Sequence, residues 1–192
     1  MAPWVKDSKK YSKREQRQKV VDYLRGLENA YWCLQWVDPS EIDERGLDFC
    51  HREALRASVD VMYHMMNNDN PGYPERIIID GAWGDLYPGA ECVEQAEDKF
   101  SQVAAASVLA KSARDEHMGN LESTALGKGY GFGKHAGYGA EEHKRALEKL
   151  GVSVHHRHSF APVAKLIREG KIVEGLESRA PKTKKLLVRV EQ

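Results

Sequence analysis

An α/β fold is predicted from three features of the 192-residue sequence. Short β-branched or aromatic runs, at 30–37 and 77–79, alternate with longer stretches of helical periodicity. Clusters rich in Gly, Pro and Asn separate them, as at 67–74 and 127–139. With 41% hydrophobic and 30% charged residues, the chain suits one soluble globular domain with a real core.

The elements come in order along the chain. Residues 12–28 read as a helix with Val20, Val21, Leu24 and Leu27 on one face, Gly26 sitting near its end. Residues 30–37 form a buried strand. Asp38-Pro39-Ser40 breaks the chain, and Ser40 can cap the next segment. Leu47, Cys50, Ala54, Ala57, Val61 and Met65 recur at three- and four-residue steps, which predicts a long amphipathic helix over 47–66. Asn67 to Pro74 is a loop. Arg76-Ile77-Ile78-Ile79-Asp80-Gly81 reads as a central strand delivering a carboxylate at its C-terminal edge. A weaker strand covers 92–96, an Ala-rich helix 101–118, a glycine-dense loop 127–139, and helices 141–150 and 161–168, the first ended by Gly151. The strands imply a mixed sheet. From about Glu174 periodicity fades until Leu186-Leu187-Val188, so 1–173 is expected to be the folded domain and 174–192 a basic tail.

Bulk properties exclude several classes. No apolar run reaches the roughly 18 residues a bilayer crossing needs, so no membrane partner is expected. The first residues have no signal-peptide character, which points to the cytoplasm. Cys33, Cys50 and Cys92 are too few and too scattered for a disulfide framework or zinc knuckle. Net charge is zero, but residues 1–25 hold eight Lys/Arg against three acids, and 160–192 hold eight against four. Carboxylates in the middle and basic ends suit a protein that holds metal and grips phosphate; solvated basic faces explain the charge equally well.

Four segments carry chemistry: Val5-Lys6-Asp7-Ser8-Lys9-Lys10; Ile77-Ile78-Ile79-Asp80-Gly81; Val103-Ala104-Ala105-Ala106-Ser107-Val108-Leu109-Ala110-Lys111-Ser112-Ala113-Arg114-Asp115; and Gly129-Tyr130-Gly131-Phe132-Gly133-Lys134-His135-Ala136-Gly137-Tyr138-Gly139 with His143, then His155-His156-Arg157-His158-Ser159-Phe160-Ala161-Pro162-Val163. In this order and spacing they resemble the bacterial-type ribonuclease HII family from about residue 5 to 165, with Pro39-Ser40-Glu41-Ile42-Asp43 matching a further connection. The resemblance implies a ribonuclease H-like mixed sheet flanked by helices. It implies a metal-dependent endonuclease that hydrolyses the RNA strand of RNA–DNA hybrids, including at single ribonucleotides in duplex DNA, with Mn²⁺ or Mg²⁺ held by carboxylates.

Carried over residue by residue, Asp80 and Asp115 are the expected catalytic metal ligands. Taken alone, Asp80 reads as a turn cap before Gly81, and Asp115 as an i,i+4 partner of Lys111. Ser8, Lys9, Lys10 and Lys111 are expected substrate contacts, with helix capping, solvated lysines and ordinary pairing as alternatives. Tyr138 is the expected reader of an RNA–DNA junction, or else a core or loop-packing residue. Glu97-Asp98 stand where the family carries an Asp ahead of the Ala-rich helix. Two adjacent histidines and a third two residues on, at 155, 156 and 158, cannot surround one zinc well.

The family begins with a strand carrying an Asp-Glu pair, and here Asp7-Ser8-Lys9-Lys10 comes almost at once after Met1. The expectation is an N-terminally truncated member, incomplete and of low stability by itself. A separate polypeptide supplying the first strands, or an inactive remnant that binds nucleic acid or protein, are the other readings.

Overall fold

Apolar spacing decides which segments coil and which extend. The structure is a computed structural model describing residues 4–28, 30–69, 74–173 and 187–191. The chain divides into two compact units, one made of 1–36, 51–112 and 186–192, the other of 37–50 and 113–185.

In the first unit, α1 (Arg14–Arg25) starts two residues later than Ser12. Lys13 is its N-cap residue, and the Lys13 amide donates to Gln16 Oε1 at 3.2 Å. Its buried face of Val20, Val21 and Leu24 packs with Val5, Trp32, Ala104, Ala105 and Val108. Burying each large aliphatic side chain stabilises the unit by about 1.5–3 kcal/mol. Small alanines on α5 (Ser101–Glu122) let this helix approach closely.

Strands of both senses occur, but among the described residues they form two ladders rather than one mixed sheet. β1 (Trp32–Trp36) pairs antiparallel with β4 (Leu187–Glu191), placing Trp32 opposite Glu191. β4 lies at the end of the segment expected as a basic tail. β2 (Ile77–Asp80) pairs in parallel with β3 (Ala90–Val93), placing Asp80 opposite Val93. β2 is less enclosed than a central strand: Ile79 is buried, Ile77 and Ile78 are half-buried, and Asp80 is exposed. β3 starts two residues before Cys92, and residues 96–99 coil into α4 (Ala96–Lys99).

Two helices outrun their expected ends. α3 (Leu47–Asp69) continues past Met66, because Asn and Asp are tolerated in a last turn and the steric stop lies before Pro71. The rest of that expected loop, 70–73, lies outside the described residues. α5 runs to Glu122 rather than Met118, since nothing in 119–122 is a steric stop.

In the second unit, α2 (Pro39–Arg45) begins at Pro39 with Asp38 as its N-cap residue, so Ser40 is inside the helix and not its cap. The fixed φ of proline suits the first helical position. The loop at 127–139 holds one helical turn, α6 (Phe132–His135), set between left-handed Gly131 and Ala136. α7 (Glu141–Leu150) and α8 (Ala161–Arg168) keep their expected bounds. Tyr130, Phe132, Leu147, Val152 and Val163 form this unit's core.

Candidate functional site

Asp80 closes β2, and two bonds fix the turn behind it. Its Oδ1 accepts the Ala96 amide at 2.9 Å, and its carbonyl accepts Trp83 Nε1 at 2.6 Å. Gly81 has φ +106, and a Cβ there would lie 2.6 Å from Trp83 Nε1. Glycine takes this turn without strain, and any side chain there is strained. The tie to Ala96 brings Asp80 beside the start of α4, which carries Glu97.

The Ser8–Lys10 segment is a 3-10 turn whose basic side chains meet α4. Lys9 Nζ lies 3.3 Å from Glu97 Oε1, and Lys10 pairs with Asp98. The Lys9 ammonium is raised above its ordinary pKa, chiefly by its bond to Glu97, then by the charges of Asp7, Glu97 and Asp80. Lys10 is raised by its bond to Asp98, whose carboxyl is held low in turn. Both ammonium groups face solvent, so these pairs add little stability. Their value is placement: two lysines and the carboxylates Asp7, Asp80, Glu97 and Asp98 gather in one unit. Glu97-Asp98 were visible in the sequence as acids ahead of α5, but their partnership with Lys9 and Lys10 was not.

Beneath the lysines lies a buried polar group. Asp7 is 5% exposed, and its Oδ1 accepts from Ser107 Oγ at 3.2 Å. Ser107 Oγ and Ser8 Oγ are 2.8 Å apart, and Ser8 Oγ is 3.4 Å from Asp7 Oδ1. Asp7 and Ser107 stand within the sequence motifs, but nothing in the sequence marked them as site residues.

Lys111 and Asp115 sit one turn apart on α5, both half-buried. Asp80 belongs to the first unit and Asp115 to the second. Tyr138 is 61% exposed, which excludes a core role. The Arg114 guanidinium lies over its ring at 4.6 Å and donates to the Ala136 carbonyl at 2.6 Å. Arg114 thus braces the loop that presents Tyr138.

The histidines pack about Tyr130 and Phe132. His143 and His156 are buried. The Ser153 amide donates to His156 Nδ1 at 3.1 Å, and the Gly137 amide to His135 Nδ1 at 3.2 Å. His135 Nε2 lies 2.9 Å from the Tyr130 carbonyl. Burial, then the nearby His143, pushes His156 down to about 4; burial, then His135, lowers His143.

Hard oxygen donors of this kind suit Mg²⁺ or Mn²⁺. Glu97 Oε2 is buried and accepts no hydrogen bond among the described residues, so a cation arriving there would displace none of these. Among the described residues no three His, Cys, Asp or Glu side chains stand together as a metal-holding group.

The family pattern described as ribonuclease HII matches residues 4–163. The chain is similar to ribonuclease HII of Neisseria meningitidis serogroup A, 36% identical over 87% of this chain and 81% of that protein. It is also similar to the Helicobacter acinonychis enzyme, 34% identical over 82% and 78%. The ribonuclease H2 structure from Pyrococcus horikoshii OT3 shares the fold, with a TM-score of 0.61, 24% identity, and coverage of 86% of this chain and 81% of that one.

Proposed function

This chain belongs to the ribonuclease HII family, and as such is an endoribonuclease; we propose that it hydrolyses the RNA strand of RNA–DNA hybrids. The observation that carries the reading is the meeting of Asp80, at the end of β2, with α4 and the Ser8–Lys10 turn in one unit. Carboxylates and phosphate-seeking ammonium groups at one place suit phosphodiester chemistry.

We assign Asp80 as a metal ligand, with Glu97 as its neighbour and Asp115 as the further ligand the motif match suggests. A bound Mn²⁺ or Mg²⁺ would activate water and neutralise charge building on the phosphate. The chain's own residues bind and orient. Lys9 and Lys10 exchange their carboxylate partners for backbone phosphates, Ser8 donates to a phosphate oxygen, and Lys111 adds charge from α5. Tyr138, exposed and braced by Arg114, is suited to stack on a sugar or base where RNA meets DNA. That assignment extends the reading to single ribonucleotides in duplex DNA.

The test measures Mn²⁺ binding by calorimetry and cleavage of a labelled RNA–DNA hybrid on the whole chain. Asp80→Asn and Glu97→Gln should each weaken Mn²⁺ binding at least about tenfold and remove cleavage. Asp115→Asn tests the third ligand the same way. Unchanged binding and cleavage in Asp80→Asn would overturn the site.

A further inference from the structure

We propose that Ser107, on α5, is a positioning residue that sets the Ser8 hydroxyl as a hydrogen-bond donor to a backbone phosphate. This rests on the nucleic-acid reading above. It adds a residue that does not itself touch the substrate.

The number of protons limits what this group can do. Asp7 Oδ1, Ser8 Oγ and Ser107 Oγ form a triangle with edges of 2.8, 3.2 and 3.4 Å. The two hydroxyls carry one proton each, and the carboxylate carries none while ionised. Two protons cannot each fill one of three edges, so one edge is open unless a proton is shared between two. The shortest, Ser107–Ser8 at 2.8 Å, is of ordinary O–H···O length. The Ser8–Asp7 edge, at 3.4 Å, lies beyond that range and is the weakest. When Ser107 gives its proton to Ser8 Oγ, the Ser8 proton has only this long contact with Asp7 to hold it.

A phosphate oxygen arriving at Ser8 therefore takes a loosely held proton at small cost. Accepting from Ser107 also polarises the Ser8 hydroxyl and makes it a better donor. No proton changes owner; each hydroxyl only turns. The local fold keeps the pair in place: Ser8 opens the 3-10 turn, and Ser107 is half-buried on α5 between buried Ala105 and Val108. Asp7, 5% exposed, holds the resting arrangement, and Lys9 offsets its charge.

The experiment titrates the full chain into a fluorescein-labelled 12-base-pair RNA–DNA hybrid without divalent metal and reads anisotropy. Ser8→Ala should lose about tenfold in affinity, and Ser107→Ala about three- to tenfold. Because Ser107 acts through Ser8, the double variant should bind no more weakly than Ser8→Ala alone. Ser107→Thr, which keeps the hydroxyl, should bind within about twofold of the parent, which a purely structural role of the serine would not require. Full additivity of the two alanine variants overturns the proposal, as does unchanged binding by Ser107→Ala, or a Ser107→Thr that binds like Ser107→Ala. If Ser8→Ala alone binds as the parent does, this inference falls and the hydrolase reading stands. If the parent does not bind the hybrid, the nucleic-acid reading falls first and this inference with it.

Discussion

Asp43 and Ser159, 116 positions apart in the chain, are joined twice: the Ser159 amide and hydroxyl both donate to Asp43 Oδ1, at 2.9 and 2.7 Å. The His158 amide donates to the other oxygen at 2.8 Å. One carboxylate thus satisfies two amides in the approach to α8 and ties α2 to it. Burial alone would raise the Asp43 carboxyl, but the bonds from Ser159 and His158 outweigh it and hold the group below its ordinary value. Asp43→Ala should destabilise the second unit by about 1–3 kcal/mol in denaturant titrations. A depressed carboxyl stabilises above its unfolded pKa and loses that contribution as pH falls through the folded one. The difference between parent and variant should therefore shrink under acid, and a constant difference would contradict the assignment.

His156 titrates in the opposite chemical sense with the same outcome. Folded, its ring stays neutral down to about pH 4, whereas an unfolded histidine takes a proton near pH 6.5. Between those values the unfolded chain binds more protons, so stability falls as pH drops from about 6.5 toward 4, by roughly 2–3 kcal/mol. His156→Asn keeps an acceptor for the Ser153 amide but does not titrate, so its denaturation midpoint should vary less over that window. An equal slope would point to other groups.

Gly81→Ala should cost about 1–3 kcal/mol, since φ +106 strains an alanine and its Cβ meets Trp83. Thermal melting and tryptophan fluorescence report this directly, because the Trp83 Nε1 bond to the Asp80 carbonyl must give. Mn²⁺ binding should weaken in parallel, as the Asp80 carboxylate is set by the same turn.

Tyr138→Ala should leave stability within about 0.5 kcal/mol, because the ring is exposed. Affinity for a duplex with one embedded ribonucleotide should fall about tenfold, the scale of one lost stacking contact. Affinity for plain DNA should stay unchanged. Equal losses on both would assign the ring to general backbone contact instead.

The α/β class, the family and the existence of the five longer helices were legible in the sequence, because each rests on a local pattern. Helical periodicity marked α1, α3, α5, α7 and α8, and the Ile77–Ile79 run ending in Asp80-Gly81 marked β2. The same local pattern put Asp80 at a strand end before a glycine, and its match to the family motif singled it out as a ligand. Tertiary structure alone decided what depended on partners far away. Glu97 meets Lys9 across 88 positions, Ser107 meets Ser8 across 99, and Asp43 meets Ser159 across 116. The pairing of β1 with β4 at the far end of the chain is of the same kind. The physical reason is common to all four. A hydrogen bond or ion pair depends on atoms within a few ångströms, and the spacing of residues along the chain carries no record of that distance until the core has brought them together.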